Sequence, residues 1–432
     1  MIPVARSQMF SSLRHRNARL FFLGLLVSNV GSWMQMTAVS LVVYEITGNA
    51  TDTGINMLCQ FLPMLLLGSW AGAVADRRDK RRMTLVTQTL QAAQAFVLAV
   101  LTLGHWTNLP ILYTLSLVLG VVGAFDNPAR RGFVLELVEA HEISNALSLN
   151  TAVMTGSRIV GPALAAFLKG PLGAGGLFMM NAISFAAIVW PLLAIDRSQL
   201  RLSLHAKSGG TPVRDAVRFI VSDRRLLVVF AVFTLVSTFA YNYGVSLLAI
   251  ANDRLGDKRM FGVLLSVTGL GSMIGSLLTA ARARVTTLWF FGNGFLLGVS
   301  GLALAWVKVG WLSMLIGIPL GMGGAAFIAG QNVILQQESP PDMRGRLLAL
   351  SAVAFLGSAP VGAPITGWVA DHVSAPWSLA YGSVITLVAV AVGASMRYRS
   401  TRGDVPAHEN KFSAVHVDGT HRGGVVPQPR GS

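Results

Sequence analysis

Charge is what this sequence has least of. Of its 432 residues only 12% are Asp, Glu, Lys or Arg, against about 25% in a soluble globular protein. With 53% apolar residues arriving in long runs, the chain is neither disordered nor the core of an ordinary soluble enzyme. Cysteine is nearly absent: Cys59 stands alone, which excludes a disulfide framework and a cysteine-based metal site. The eight histidines are scattered, none paired at ligand spacing, so no zinc motif is present and neither a metal nor a cofactor is expected. Acids are scarcer than bases, 19 against 34, for a net charge of +15. An excess of that size suits either a nucleic-acid binder or a membrane protein, and the placement of the bases decides between them.

A helix crossing the ~30 Å hydrocarbon core needs about 20 mostly apolar residues. Twelve runs meet that need: 20–45, 53–75, 83–104, 110–130, 147–169, 174–195, 226–250, 260–281, 286–307, 310–334, 347–370 and 377–396. The first follows the basic stretch Arg14 to Arg19 as a signal peptide would. It lacks a small-residue cleavage site and eleven spans follow, so it is expected to stay as the first helix. With the N-terminus in the cytoplasm, the segments on that side carry 28 of the Lys and Arg residues. The outer loops carry five: Lys169, Arg254, Lys258, Arg259 and Lys308. This asymmetry predicts a multi-pass protein of the cytoplasmic (inner) cell membrane with both termini inside. The positive charge is then topological, the lipid bilayer is the partner, and nucleic acid is not.

The longest polar break between spans, 197–225, divides six from six. Short matches recur across it. Val39-Ser40-Leu41 returns as Val245-Ser246-Leu247, Gly68-Ser69 as Gly275-Ser276, and GSRIVGP at 156–162 as GSAPVGAP at 357–364. Three echoes in one order at similar offsets point to a duplicated half. The expected organisation is all-α: an N-terminal six-helix bundle over 1–196, a basic cytoplasmic linker over 197–225 and a C-terminal six-helix bundle over 226–396. A tail over 397–432 has the composition of a disordered segment.

After the second span comes GAVADRRDKRR, Gly72 to Arg82. It resembles the cytoplasmic signature of the major facilitator superfamily, G-x-x-x-D-R/K-x-G-R/K-R/K, with Gly72, Asp76, Arg77, Lys80 and Arg81 in place and Asp79 where the family usually has glycine. The resemblance implies that fold, twelve helices in two pseudo-symmetric bundles, and a gate in which Asp76 pairs across the halves in the outward-open state. The plain alternative is a basic turn at a wet surface, where pairing is weak. AFDNPARRGFVLELV at 124–138, NALSLN and SRIVGPALA resemble the bacterial branch that holds the enterobactin exporter and multidrug efflux proteins. Gly156, Gly161 and Pro162 match part of the superfamily's antiporter signature, with Ala165 and Ala166 replacing its last glycines. That match implies a bend tied to export; small-residue packing is the other reading.

Ser28, Ser32 and Gln35 lie at i, i+4 and i+7 of the first span, on one helix face. Their counterparts in the seventh are Thr234, Thr238 and Tyr241, flanked by Asn242. These stripes either line a central substrate cavity, as the resemblance implies, or serve helix–helix hydrogen bonds worth about 0.6 kcal/mol each. Two charged residues lie inside spans away from their ends, Asp126 and Arg158, and an isolated charge at the bilayer centre costs about 2.5–3.5 kcal/mol even on the mild scale. They form either a proton-coupling pair or a structural clip between spans 4 and 5.

The expected function is export of a small amphipathic organic compound, a drug or siderophore, by alternating access with proton antiport. An uptake carrier or uncoupled facilitator is the alternative, and a non-transporting membrane sensor or scaffold is the rival from another class. An enzyme is not expected, since clustered acids or histidines at depth are missing. The charge asymmetry yields a direct test. A reporter active only in the cytoplasm should work when fused after Arg397 and fail in the 251–259 loop, and the reverse pattern would overturn the orientation.

Overall fold

The computed structural model describes residues 11–196, 200, 213–282 and 284–403. Most of the expected linker (197–199 and 201–212) and most of the expected tail (404–432) lie outside the described residues. Fourteen α-helices are described: α1 Arg16–Thr47, α2 Ala50–Arg77, α3 Lys80–Leu103, α4 Leu109–Glu136, α5 Ile143–Ser184, α6 Ala186–Ala194, α7 Val213–Ser222, α8 Arg224–Ala240, α9 Tyr243–Asp253, α10 Arg259–Ala280, α11 Thr287–Trp306, α12 Gly310–Gln337, α13 Pro341–His372 and α14 Ala375–Gly403. No strand occurs among the described residues. Helix is what hydrocarbon demands, because each backbone N–H and C=O then finds its partner within its own segment.

The helix ends carry their own signals. Asp79 caps α3 by accepting from Arg82 N at 2.8 Å, and Asn108 caps α4 by accepting from Ile111 N at 3.0 Å. α1 stops at Gly48, whose φ of 70° suits glycine. In the basic loop, the residue that departs from the superfamily's glycine is therefore the one that starts the third span.

By length and apolarity eleven segments can cross a membrane, and one of them, Ile143–Ala194, has 52 residues. It makes two crossings. Its first limb runs parallel to α1: Met154 contacts Asn29, Gly161 packs on Trp33, and Lys169 pairs with Glu45. Its second limb runs antiparallel to α1, since Asn181 bonds to Gln35 and Ala187 abuts Gly24. The reversal sits at Gly173 (φ 68°, ψ 174°), which has no Cβ to oppose that conformation. Twelve crossings result, as the hydropathy pattern predicts.

The seventh crossing is split. α8 ends at Ala240 and α9 begins at Tyr243, so Tyr241 and Asn242 are not helical. The Asn242 side-chain amide donates to Thr238 O at 2.8 Å and so satisfies one of the freed carbonyls. Within the linker region, α7 lays Ala216 and Ile220 against Leu226, Leu335 and Leu347. α14 runs on to Gly403, past the start of the expected tail.

Helices α1–α6 and α8–α14 form two bundles that meet along two seams, α2 with α13 and α5 with α10. Glycines let backbones touch inside each bundle. A Cβ on Gly120 of α4 would lie 2.2 Å from Gln60 O of α2, whereas a Cβ on Gly123 would meet nothing within 4 Å. Gly120→Val should therefore lower the stability of the purified protein by about 1–3 kcal/mol or more, as overpacking against a backbone does. Gly123→Val, on the same helix, should leave it near wild type. Thermal denaturation of the two variants checks this, and equal midpoints would refute the packing assignment.

Candidate functional site

The two seams are closed at one end only. At the end opposite the termini, a Cβ on Gly54 (α2) would lie 2.4 Å from Ala363 O (α13), and one on Gly262 (α10) 2.5 Å from Pro162 O (α5). Asp371 of α13 reaches across and accepts from Ala50 N and Thr51 N, each at 2.8 Å. An anion from one half thus caps the first turn of α2 in the other, where free N–H groups and the helix dipole favour it. Tyr44 adds a second bridge by donating to Asp253 at 3.2 Å and accepting from Asn252 at 3.1 Å. Contact persists to mid-helix, at Leu65 with Gly357 and at Ile159 with Gly269. Beyond that level, a Cβ on Gly68, Gly72, Gly156 or Gly345 would meet nothing within 4 Å. A cleft opens toward the end that carries the basic loops.

On the N-terminal wall of this cleft lies a recess of about 170 Å³, lined by Ser32, Trp33, Gln35, Met36, Phe61 and Asn127 among others. It is smaller than the roughly 300–1,000 Å³ of an enclosed small-molecule site, and it suits one ring or chain of a larger ligand. Behind it the amides are cross-braced. Gln35 donates to Gln94 at 3.0 Å and accepts from Asn181 at 2.8 Å, while Gln94 donates to Leu115 O at 3.3 Å. A buried primary amide is costly unless paired, and these pairings fix Gln35 in one orientation.

The other stripe residues are mostly self-satisfied. Ser32, Thr234 and Thr238 donate to the carbonyls of Ser28, Phe230 and Thr234, one turn back. Ser28 is buried, 3.5 Å from Gln88. Gln35 and Tyr241 do not meet across the cleft. The Tyr241 hydroxyl donates to Gly324 O at 2.7 Å within its own half, beside Tyr243 and Phe355. The offset between repeats relates the two residues in sequence, but each is held by its own bundle.

The expected Asp126–Arg158 pair does not form. Asp126 is buried and its partner is Arg130, one turn on along α4, with Nε 3.2 Å from Oδ2. Thr87 and Gln88 of α3 donate to its other oxygen at 2.7 and 2.8 Å. The i,i+4 spacing puts Arg130 on the same helix face as Asp126, so it outcompetes a residue on a neighbouring helix and at another depth. Arg158 instead stacks over Trp33, 4.8 Å from the ring centroid.

In the basic loop, Lys80 pairs with Glu136 at 3.3 Å and Arg81 donates to Leu193 O at 3.1 Å. Asp76 and Arg77 are exposed, and Asp76 makes no ion pair across the halves among the described residues. On α5, Gly161 is required by closeness, since a Cβ there would lie 2.5 Å from that of Trp33. Pro162 faces Gly262 of the other half, and Gly156 faces open space.

Against known proteins, a family model described as "Transmembrane secretion effector" matches residues 7–426, and the chain belongs to that family of major facilitator transporters. It is 23% identical over 359 residues to the staphyloferrin A transporter of Staphylococcus aureus, covering 82% of this chain and 89% of that one. It is 22% identical over 383 residues to macrolide efflux protein A of Streptococcus pyogenes, covering 85% and 93%. A bacterial homologue of the human lysosomal transporter Spinster, crystallised inward-facing and unoccupied, aligns with a TM-score of 0.66 at 14% identity over 90% of this chain and 97% of that one. The fold is therefore the major facilitator fold, and the protein is a multi-pass membrane transporter of small molecules, not an enzyme.

Gln35 is the recess residue whose change should be informative. Truncation to Ala frees Gln94 and Asn181 and enlarges the recess, so the ranking of transported compounds should shift while abundance in the membrane stays within about twofold. A uniform loss for every compound that tracks lower abundance would mark the network as purely structural.

Proposed function

We propose that this chain exports a small amphipathic organic compound, of the drug or siderophore kind, from the cytoplasm by alternating access coupled to proton antiport. The observation that carries the reading is the cleft, shut where Asp371 caps α2 and open toward the basic loops. With 28 of the bases on the side of the termini, that opening faces the cytoplasm, and this state loads from inside. The efflux named in a relative's description and the partial antiporter match at Gly156, Gly161 and Pro162 support the outward direction. Trp33, Met36 and Phe61 beside braced amides suit a compound with both apolar and hydrogen-bonding parts.

Rocking closes the open end and parts the Asp371 contacts. In that outward state Asp76, exposed here, would pair across the halves, while Arg77, Lys80 and Arg81 hold the loop on the cytoplasmic side. The proton site in this reading is Asp126. Its charge balances Arg130 and accepts from Thr87 and Gln88, so a proton on it loosens that cluster and reports across α3 and α4.

Accumulation of a compound panel in cells lacking other pumps, with and without this protein, tests direction: export lowers accumulation, and a rise would sink the reading. For coupling, Asp126→Asn should abolish uphill export while preserving downhill exchange of the same compound. If the acid is only structural, Asp126→Asn strands Arg130 and lowers abundance, and adding Arg130→Gln partly restores it. Intact uphill export by well-expressed Asp126→Asn would remove Asp126 from the proton path.

A further inference from the structure

With Asp126 committed to Arg130, the cation on α5 needs another account. Arg158 lies on the face of α5 that carries Pro162 and Ala166, and those two residues abut Gly262 of the opposing half. One turn further, the backbone of Arg158 approaches Gly269 at the last level where the halves still touch. Its side chain is exposed, at the point where the cleft begins, and it lies over Trp33, which lines the recess. No carboxylate pairs with it among the described residues. Two other cations of this half have carboxylate partners, Arg130 with Asp126 and Lys80 with Glu136.

The fold does not require this charge. In the duplicated half, Gly357-Ser358-Ala359 stands where Gly156-Ser157-Arg158 stands here, so an equivalent helix is built with a methyl group at that place. A fixed cation without a counter-charge, deep between low-dielectric walls, attracts an anion far more strongly than the same cation on a wet surface. Trp33 holds the guanidinium in position, and no acceptor among the described residues takes its N–H fork, which a carboxylate can meet with two parallel hydrogen bonds.

We infer that Arg158 is the anion-recognition residue of the central cleft, and that the transported compound carries a carboxylate. The carboxylate pairs with Arg158 while the compound's apolar part enters the recess beside Trp33, Met36 and Phe61. This rests on the export reading above for the role of the cleft, but charge preference and direction of transport are separable in experiment.

The test uses the full chain purified into lipid nanodiscs, with three probes that share one ring system and differ in charge at neutral pH. These are 1-naphthylacetate (anion), 1-naphthylacetamide (neutral) and 1-naphthylmethylamine (cation), with binding followed by titration calorimetry. Wild type and Arg158→Lys should bind the acetate about tenfold or more tightly than the other two, the scale of a charge-assisted contact. Arg158→Gln, checked for an unchanged thermal midpoint, should lose that preference, and Arg158→Glu should favour the amine. Equal binding of the three probes by wild type, no acetate binding at millimolar concentration, or an acid preference that survives in Arg158→Gln would each overturn the assignment. If cells expressing the protein expel compounds without any acid preference, export stands and the charge assignment falls. If the acid preference holds but nothing is expelled, the binding site stands and the export reading falls.

Discussion

Inside hydrocarbon a polar group has no water to fall back on, and the arrangement of this protein follows from that constraint. Asp126 receives two neutral donors and an arginine. Gln35 is bonded on both sides of its amide. The hydroxyls of Ser32, Thr234 and Thr238 turn back to their own helices, and the break in the seventh crossing is patched by Asn242. The pairing is not complete, since Ser157, Ser237, Thr268 and the Tyr243 hydroxyl are buried without a hydrogen-bond partner among the described residues. Two charged groups stand apart from these networks: Asp76 is exposed at the open end, and Arg158 is exposed at the last level where the halves touch.

The fold was legible in the sequence because its determinants are long and cumulative. Runs of about twenty mostly apolar residues, repeated twelve times, point to a membrane helix bundle, and the distribution of the bases gives an expected orientation. The reversal at Gly173 and the split at Tyr241-Asn242 were less visible, since each turns on one or two backbone dihedrals inside an apolar stretch. Side-chain partners were harder still. Depth along two helices suggested Asp126 with Arg158, but depth says nothing of rotation about the helix axis. The i,i+4 relation of Asp126 to Arg130 was present in the sequence and is the stronger rule. Thr87, Gln88, Gln94 and Asn181, which complete the two networks, are ordinary polar residues on α3 and on the second limb of α5. Only the assembled fold brings them to Asp126 and Gln35.

The two halves divide the labour unequally. The sequence echoes that relate them cover backbone-shaping Gly, Ser and Pro rather than the polar side chains of the cleft. The N-terminal half holds the Gln35 amide network, the buried acid and the cation of the cleft, while the other half packs Tyr241, Tyr243 and Phe355 together and bonds Ser351 to Gln331. The N-terminal wall thus offers both apolar and hydrogen-bonding groups at its recess. An amphipathic molecule is what such a wall can hold.

Alternating access asks that one end close as the other opens, and Asp371 is the outer latch in this account. It satisfies two N–H groups at the start of α2 that no other side chain caps. The most direct measurement is a pair of spin-label distances on one protein, across the outer ends at Asn49 and Val373 and across the cytoplasmic ends at Arg78 and Gly345. Asp371→Asn should lengthen the outer distance and shorten the cytoplasmic one, populating a second state at the expense of the first. Distances that stay fixed, or that lengthen at both ends together, would contradict rocking about a central site.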